Sequence, residues 1–228
     1  MPGKLIVFEG TEGVGKTTQL KRLYDWLPRC EPFQNLQAQG TIAGVMMTRQ
    51  PGGTELGKQL RQLLLQNAEN YTIGSLAELL LYAADRAQHV SEIIRPKLEA
   101  GFWVICDRYT DSTVAYQGYG RGLSLSLIEQ LNGIATDGLQ SSLTLWLQLD
   151  ADLGLARTHQ RGASDRIEQA EADFHRRVQQ GFENLAQIDR GRIVPVNGAR
   201  DEETIAADIQ QIIEQRLWQW YRPLLKQS

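Results

Sequence analysis

Residues 10–17 read GTEGVGKT, a spacing of glycine, lysine and threonine that builds a cradle for phosphate. Gly10, Gly13 and Gly15 let the backbone turn its N–H groups inward with no side chain in the way. Lys16 then reaches the β- and γ-phosphates of a nucleoside triphosphate, and the Thr17 hydroxyl is placed to ligate Mg²⁺. Thr11, Glu12, Val14 and Thr18 complete the stretch expected to hold the nucleotide. A glycine-rich turn that matches by accident is the competing reading. It loses ground because the full pattern follows directly on the apolar LIVF and leads into KTTQLKRLYDWL, a helical pattern whose N-terminal end adds positive potential. Glu12 stands out, since a carboxylate inside a polyanion site needs a reason.

A second acid, Asp107, ends the apolar FWVICD, where a carboxylate helps organise Mg²⁺ or its water shell. An aspartate that merely opens a turn is the alternative, and the neighbouring phosphate loop favours the functional role. Arginines recur beside glycine, proline or aromatics in TRQPGGT, AADRAQH, DRYTDSTVAYQGYGRG and RTHQRGASDRIE. Phosphoryl transfer needs positive charge around donor and acceptor alike, so a second phosphate-bearing substrate accounts for them better than solvated surface charge does. No N-K-x-D base-reading motif of a guanine-specific switch occurs in the sequence.

The elements that must position these residues alternate. Five short apolar runs, 5–8, 45–47, 102–106, 143–149 and 193–196, are separated by stretches of helical periodicity. Apolar runs without alternation suit strands buried on both faces, as in a parallel sheet covered by helices, which predicts an α/β layered fold. Ile205, Ile209, Ile212, Ile213 and Leu217 make one apolar helical stripe, with Pro223 expected to stop it. Residues 75–100 read as helix interrupted or ended by Pro96, and 28–44 as a surface loop excursion.

A chain of 228 residues with no linker fits one domain over 1–228. A formal charge of −3 gives no net pull toward nucleic acid or anionic membrane, and no apolar stretch approaches the ~20 residues that span a bilayer. Cys30 and Cys106 form no metal or redox motif and read as free thiols of a reducing compartment. The expectation is a cytoplasmic protein with neither nucleic-acid nor membrane partner.

From FEGTEGVGKTT to DRIEQAEADFHRRVQQGFENLA, nearly end to end, the chain resembles the thymidylate kinases of bacteria. The resemblance implies a three-layer P-loop NTPase fold, with a five-stranded parallel sheet flanked by helices, and a homodimer. It implies transfer of the γ-phosphoryl of ATP to dTMP, with Mg²⁺. By position, Arg49 and Arg108 resemble the arginines that hold the dTMP phosphate, Tyr82 falls where the family often stacks phenylalanine on thymine, and Arg86 matches the arginine that hydrogen-bonds the base. Ser112, Thr113, Tyr116 and Gln117 match the stretch that lines the nucleoside. Residues 157–166 correspond to a lid that closes over ATP, with Arg157, Arg161 and Arg166 as its cations and Arg161 the first choice for catalysis. Glu12 corresponds to an acid that faces the acceptor.

Three departures stand out: Gln50 where glutamate is common, Tyr82 for phenylalanine, and Gly13 where some members carry an arginine. With Gly13 lacking that charge, the lid arginines are its expected source. A kinase of another monophosphate or of a deoxynucleoside, and an ATP-binding switch with no small-molecule acceptor, remain open at this point.

Overall fold

The computed structural model describes residues 2–66, 71–160 and 165–225. Its elements run β1 (Leu5–Glu9), α1 (Lys16–Trp26), α2 (Glu31–Ala38), β2 (Gly44–Arg49), α3 (Glu55–Leu65), α4 (Ser75–His89), α5 (Arg95–Glu99), β3 (Phe102–Asp107), α6 (Thr110–Thr113), α7 (Leu125–Thr136), β4 (Leu143–Gln148), α8 (Ala151–Gln160), α9 (Ala172–Ile188), β5 (Ile193–Asn197) and α10 (Glu202–Leu225). All four pairings are parallel, in the order β2-β3-β1-β4-β5, with Ile6 opposite Ile105 on one side and Leu143 on the other.

Alternation along β1 explains the layers. Ile6 and Phe8 point to one face, where α1, α2 and α10 bury Leu20, Leu23, Leu36, Ile209, Ile213 and Leu217. Leu5 and Val7 point to the other, against Val90, Ile94 and Leu98. Further along that second face, Trp146 and Ile193 meet Phe174, Val178 and Phe182 of α9. Both faces are covered, so the strands read as unbroken apolar runs.

The helix expected over 75–100 has a π-helical segment, Val90–Ile94, just before Pro96. Proline has no N–H to donate and its ring crowds the carbonyl of the preceding turn, and one wide turn absorbs both. Pro223 acts differently from expectation: α10 kinks at Tyr221 (φ −123°, ψ 19°) and helical structure resumes to Leu225.

The loop reading of 28–44 is overturned. The segment holds α2, and Cys30, Phe33, Leu36 and Ile42 lie in the core, with Phe33 packed edge-on to Trp103 at a centroid distance of 5.4 Å. Pro28, Pro32, Gly40 and three glutamines masked a three-residue apolar spacing. Phe33→Ala is accordingly expected to cost about 3–5 kcal/mol in urea unfolding, as for any large buried ring. A loss under about 0.5 kcal/mol would restore the loop reading.

Candidate functional site

The carboxyl ends of β1, β2 and β3 open into one cleft of about 720 Å³, at the side of the sheet where open α/β folds bind ligands. At its floor lies the glycine-rich loop between β1 and α1. Gly13 and Gly15 take left-handed φ values of 74° and 87°. A Cβ on Gly13 would lie 2.3 Å from the Gly154 carbonyl oxygen, and one on Gly154 would lie 2.6 Å from that of Glu12. The loop tip and α8 therefore meet backbone to backbone, and no arginine fits at position 13 in this arrangement.

Lys16 Nζ donates to the carbonyl oxygens of Gly10 (3.0 Å) and Thr11 (2.8 Å). Burial, then Arg108, pushes its pKa down, while Glu12, Asp107 and Glu9 pull the other way. Glu12, Gly13, Val14, Gly15, Lys16, Thr17 and Thr18 line the cleft, whereas Thr11 faces a smaller cavity beside β4 and Gly10 supplies backbone carbonyl contacts.

Arg108 joins this loop to the opposite wall. Its backbone sits in the left-handed region (φ 67°), uncommon for a side chain of this size, and its N–H donates to Phe8 O at 2.9 Å. The guanidinium donates to Gly10 O and Ser112 Oγ, both at 3.0 Å, to the Tyr116 hydroxyl at 3.1 Å, and to Glu12 in a close ion pair. It also lies 4.9 Å from the Tyr116 ring centroid. Burial by itself would raise the Glu12 pKa, but Arg108, Lys16 and the Tyr116 hydroxyl hold it at about 2. Glu12 is thus ionised and turned toward Arg108 and Tyr116.

Beneath Arg108 lies an acid that sequence reasoning missed. Glu9 is fully buried and accepts the Tyr109 N–H (2.8 Å), the Ser112 N–H (3.1 Å) and the Ser112 hydroxyl (2.5 Å). Burial pushes its pKa up to about 7, with Arg108 opposing. It fastens the turn carrying Arg108 and Ser112 to β1.

Asp107 lines the same cleft as Thr17, and among the described residues its Oδ1 is buried with no hydrogen-bond partner. An unpaired buried carboxylate oxygen and an exposed hydroxyl in one cleft are the sparse, hard-oxygen donors that Mg²⁺ completes with phosphate and water. The residues fit the ion.

Arg49, Tyr82, Arg86, Ser112, Thr113, Tyr116 and Gln117 come from three separate stretches and line the same cleft. Arg49 is exposed, whereas Arg86 is buried, donating to Gln50 Oε1, Asn132 Oδ1 and Tyr109 O at 2.9–3.0 Å. Arg61, on α3, joins this wall and was missed; it sits in a leucine-rich helix, where only a fold could show it beside Arg49 and Tyr82.

Of the three lid arginines, Arg157 is exposed on α8 and lines the cleft. Arg161 lies outside the described residues. Arg166 is tied elsewhere, donating to Leu64 O at 2.8 Å and pairing with the buried carboxylate of Glu78. Glu78 also accepts from Gln117 (2.8 Å) and Arg121 (3.2 and 3.3 Å), and these contacts hold its pKa low despite burial. The cluster therefore fastens α4, the 114–121 segment and the end of 157–166 to one another.

A parallel sheet in this order, with a glycine cradle between β1 and α1, defines a P-loop NTPase fold. A sequence model described as thymidylate kinase matches residues 8–209, and the chain belongs to the thymidylate kinase family. It is 57% identical to a thymidylate kinase of Cyanothece sp. over 97% of both chains, and 52% identical to one of Trichormus variabilis over 96% of this chain and all of the relative. The crystal structure of thymidylate kinase from Ehrlichia chaffeensis superposes with a TM-score of 0.71 at 32% identity, covering 93% of this chain and 99% of that one.

Proposed function

We propose that this cleft transfers the γ-phosphoryl group of ATP to dTMP, giving dTDP and so supplying a precursor of DNA synthesis. The observation that carries the reading is the Glu12–Arg108–Tyr116 junction, which joins a nucleoside-triphosphate cradle to a second, arginine-bearing wall across a single cleft. One half holds the donor through the loop amides, Lys16 and Thr17. The other takes the acceptor, with Arg49 and Arg108 at its phosphate, Tyr82 and Arg86 at its base, and Ser112, Thr113, Tyr116 and Gln117 along the nucleoside. Glu12 holds Arg108 so that the guanidinium faces the acceptor phosphate, and the Tyr116 ring closes the sugar side.

Mg²⁺, held through Asp107 and Thr17, would neutralise charge on the phosphates as the bond to the leaving ADP breaks. Lys16 and Arg108 supply fixed positive charge at the donor and acceptor sides of the transferred group. Arg157 stands on α8 at the cleft, and with Arg161 it is the proposed source of the cation that Gly13 does not provide.

The protein is proposed to act in the cytoplasm; no described helix is long and apolar enough to cross a membrane. A homodimer is proposed on the exposed face of α4, where Leu76, Ala77, Leu80, Ala84 and Ala87 form an apolar stripe beside exposed Leu56, Leu63 and Ile134.

The test is ADP release with a panel of nucleoside monophosphates and nucleosides, with and without EDTA, on a sample characterised by sedimentation velocity. Turnover stimulated most by dTMP, abolished by EDTA and carried by a dimer is expected. Preference for dUMP, dGMP or a nucleoside would sink the substrate assignment, metal-independent turnover the Mg²⁺ role, and a monomer peak the dimer.

A further inference from the structure

His89 is fully buried at the end of α4, outside the cleft and outside every role assigned above. Its Nε2 lies 2.7 Å from Thr48 Oγ1 on β2, and its Nδ1 lies 3.0 Å from Gln50 Nε2. Gln50 in turn accepts from Arg86 Nε at 3.0 Å. Four residues thus form one hydrogen-bonded chain, Thr48–His89–Gln50–Arg86, across segments separated by 36 to 41 positions.

The direction of the chain follows from its one invariant member. Arg86 donates and never accepts, so Gln50 must present its carbonyl oxygen to it. The amide NH₂ of Gln50 then faces His89, whose Nδ1 must be an unprotonated acceptor. Nε2 therefore carries the proton and donates it to Thr48. Burial, and then Arg86, pushes the His89 pKa down to about 4, which keeps the ring neutral at working pH. The ring also fixes the backbone beside it: a Cβ on Gly53 would lie 2.3 Å from His89 Nε2. Asp85 adds a second tie, accepting the Gly52 N–H at 2.9 Å.

We propose that His89 is a positioning residue for acceptor recognition: its single neutral tautomer holds Gln50 in one amide orientation, and Gln50 holds the Arg86 guanidinium toward the nucleobase. Three of the five N–H groups of Arg86 are engaged by Gln50, Asn132 and Tyr109, leaving two to offer a ligand. Without an acceptor at His89 Nδ1, Gln50 is free to rotate and turn its NH₂ toward Arg86, setting donor against donor. The arginine then loses a fixed partner, and the base-reading hydrogen bonds lose their fixed geometry. Gln50, where glutamate is common in the family, is what makes a tautomer lock necessary. A carboxylate accepts at both oxygens and has no orientation to choose.

The proposal rests on the dTMP kinase reading, and the experiment separates the two. Asn at position 89 places an acceptor near Nδ1, while Gln reaches toward Nε2 only. His89→Asn is expected to keep the KM for dTMP within about threefold of wild type; His89→Gln and His89→Ala are expected to raise it about tenfold, with kcat and the KM for ATP little changed. Equal effects of Asn and Gln, or an unchanged KM for dTMP in the Gln and Ala variants, would overturn the proposal.

Histidine ¹⁵N spectra of the wild-type protein test it without a variant: His89 should show a bare Nδ1 and a protonated Nε2, and the reverse tautomer overturns the chain. Gln50→Glu should move the imidazole proton to Nδ1, and an unmoved tautomer counts equally against it. Wild-type protein that ignores dTMP would defeat the substrate assignment, while the spectra would still judge the chain.

Discussion

Lys16→Ala should lower kcat roughly 10²- to 10³-fold while the KM for dTMP moves far less. The ammonium donates to two neutral carbonyls, Gly10 O and Thr11 O, in the loop at the floor of the cleft. With ATP bound it would exchange these for anionic phosphate oxygens, adding charge–charge attraction to hydrogen bonds that its own charge already assists. The gain grows as negative charge builds on the bridging and transferred oxygens, so the loss falls on kcat. Lys16→Arg is expected to fare little better, since a broad planar guanidinium cannot replace a compact ammonium between two loop carbonyls. Folding should survive, because Lys16 sits in the first turn of α1 and burial of its charged ammonium is itself unfavourable. A Tm within a few degrees of wild type is the control, and turnover within tenfold of wild type would count against the site.

The sheet and the phosphate loop were legible because each is written locally. A strand covered on both faces shows up as an apolar run wherever it lies, and all five runs became strands. The loop needs only its own glycines and Lys16. What stayed hidden depends on partners far apart in the chain. Glu78 on a helix reads as a solvated charge until Arg121 and Arg166, 43 and 88 positions away, close around it. Glu9 reads as the last residue of a strand until Tyr109 and Ser112 fold back onto it from about a hundred positions on. His89 and Gln50 became meaningful only through each other. Resemblance placed Arg166 among the lid cations, but the structure shows its side chain committed to Glu78, beyond what family position can convey.

Arg108 is where the largest loss in acceptor binding is expected. Arg108→Ala should reduce kcat/KM for dTMP about 100-fold or more, chiefly through KM, because one guanidinium serves the loop carbonyl, Ser112, Tyr116 and Glu12 together. Its removal leaves Glu12 without its main counter-charge. Glu12 is held at about 2, so its ionised form contributes stability above the ordinary carboxylate pKa, and that contribution disappears as pH falls through about 2. Wild-type activity should therefore show no Glu12 limb across pH 5–9. In the variant, burial works against the charge with Lys16, Tyr116 and His175 left to oppose it, so the pKa rises and an acid limb moves toward the assay range. Arg108→Lys separates charge from geometry: an ammonium restores the depressed Glu12 pKa but cannot make four contacts at once, so the KM stays high. Arg108→Gly separates both from the backbone, since glycine relieves the left-handed φ of 67° and should be more stable than the alanine variant while binding dTMP no better. Equal KM values for wild type and Arg108→Lys would mean that charge alone holds the acceptor, and the fork between cradle and far wall would then have no part in recognition.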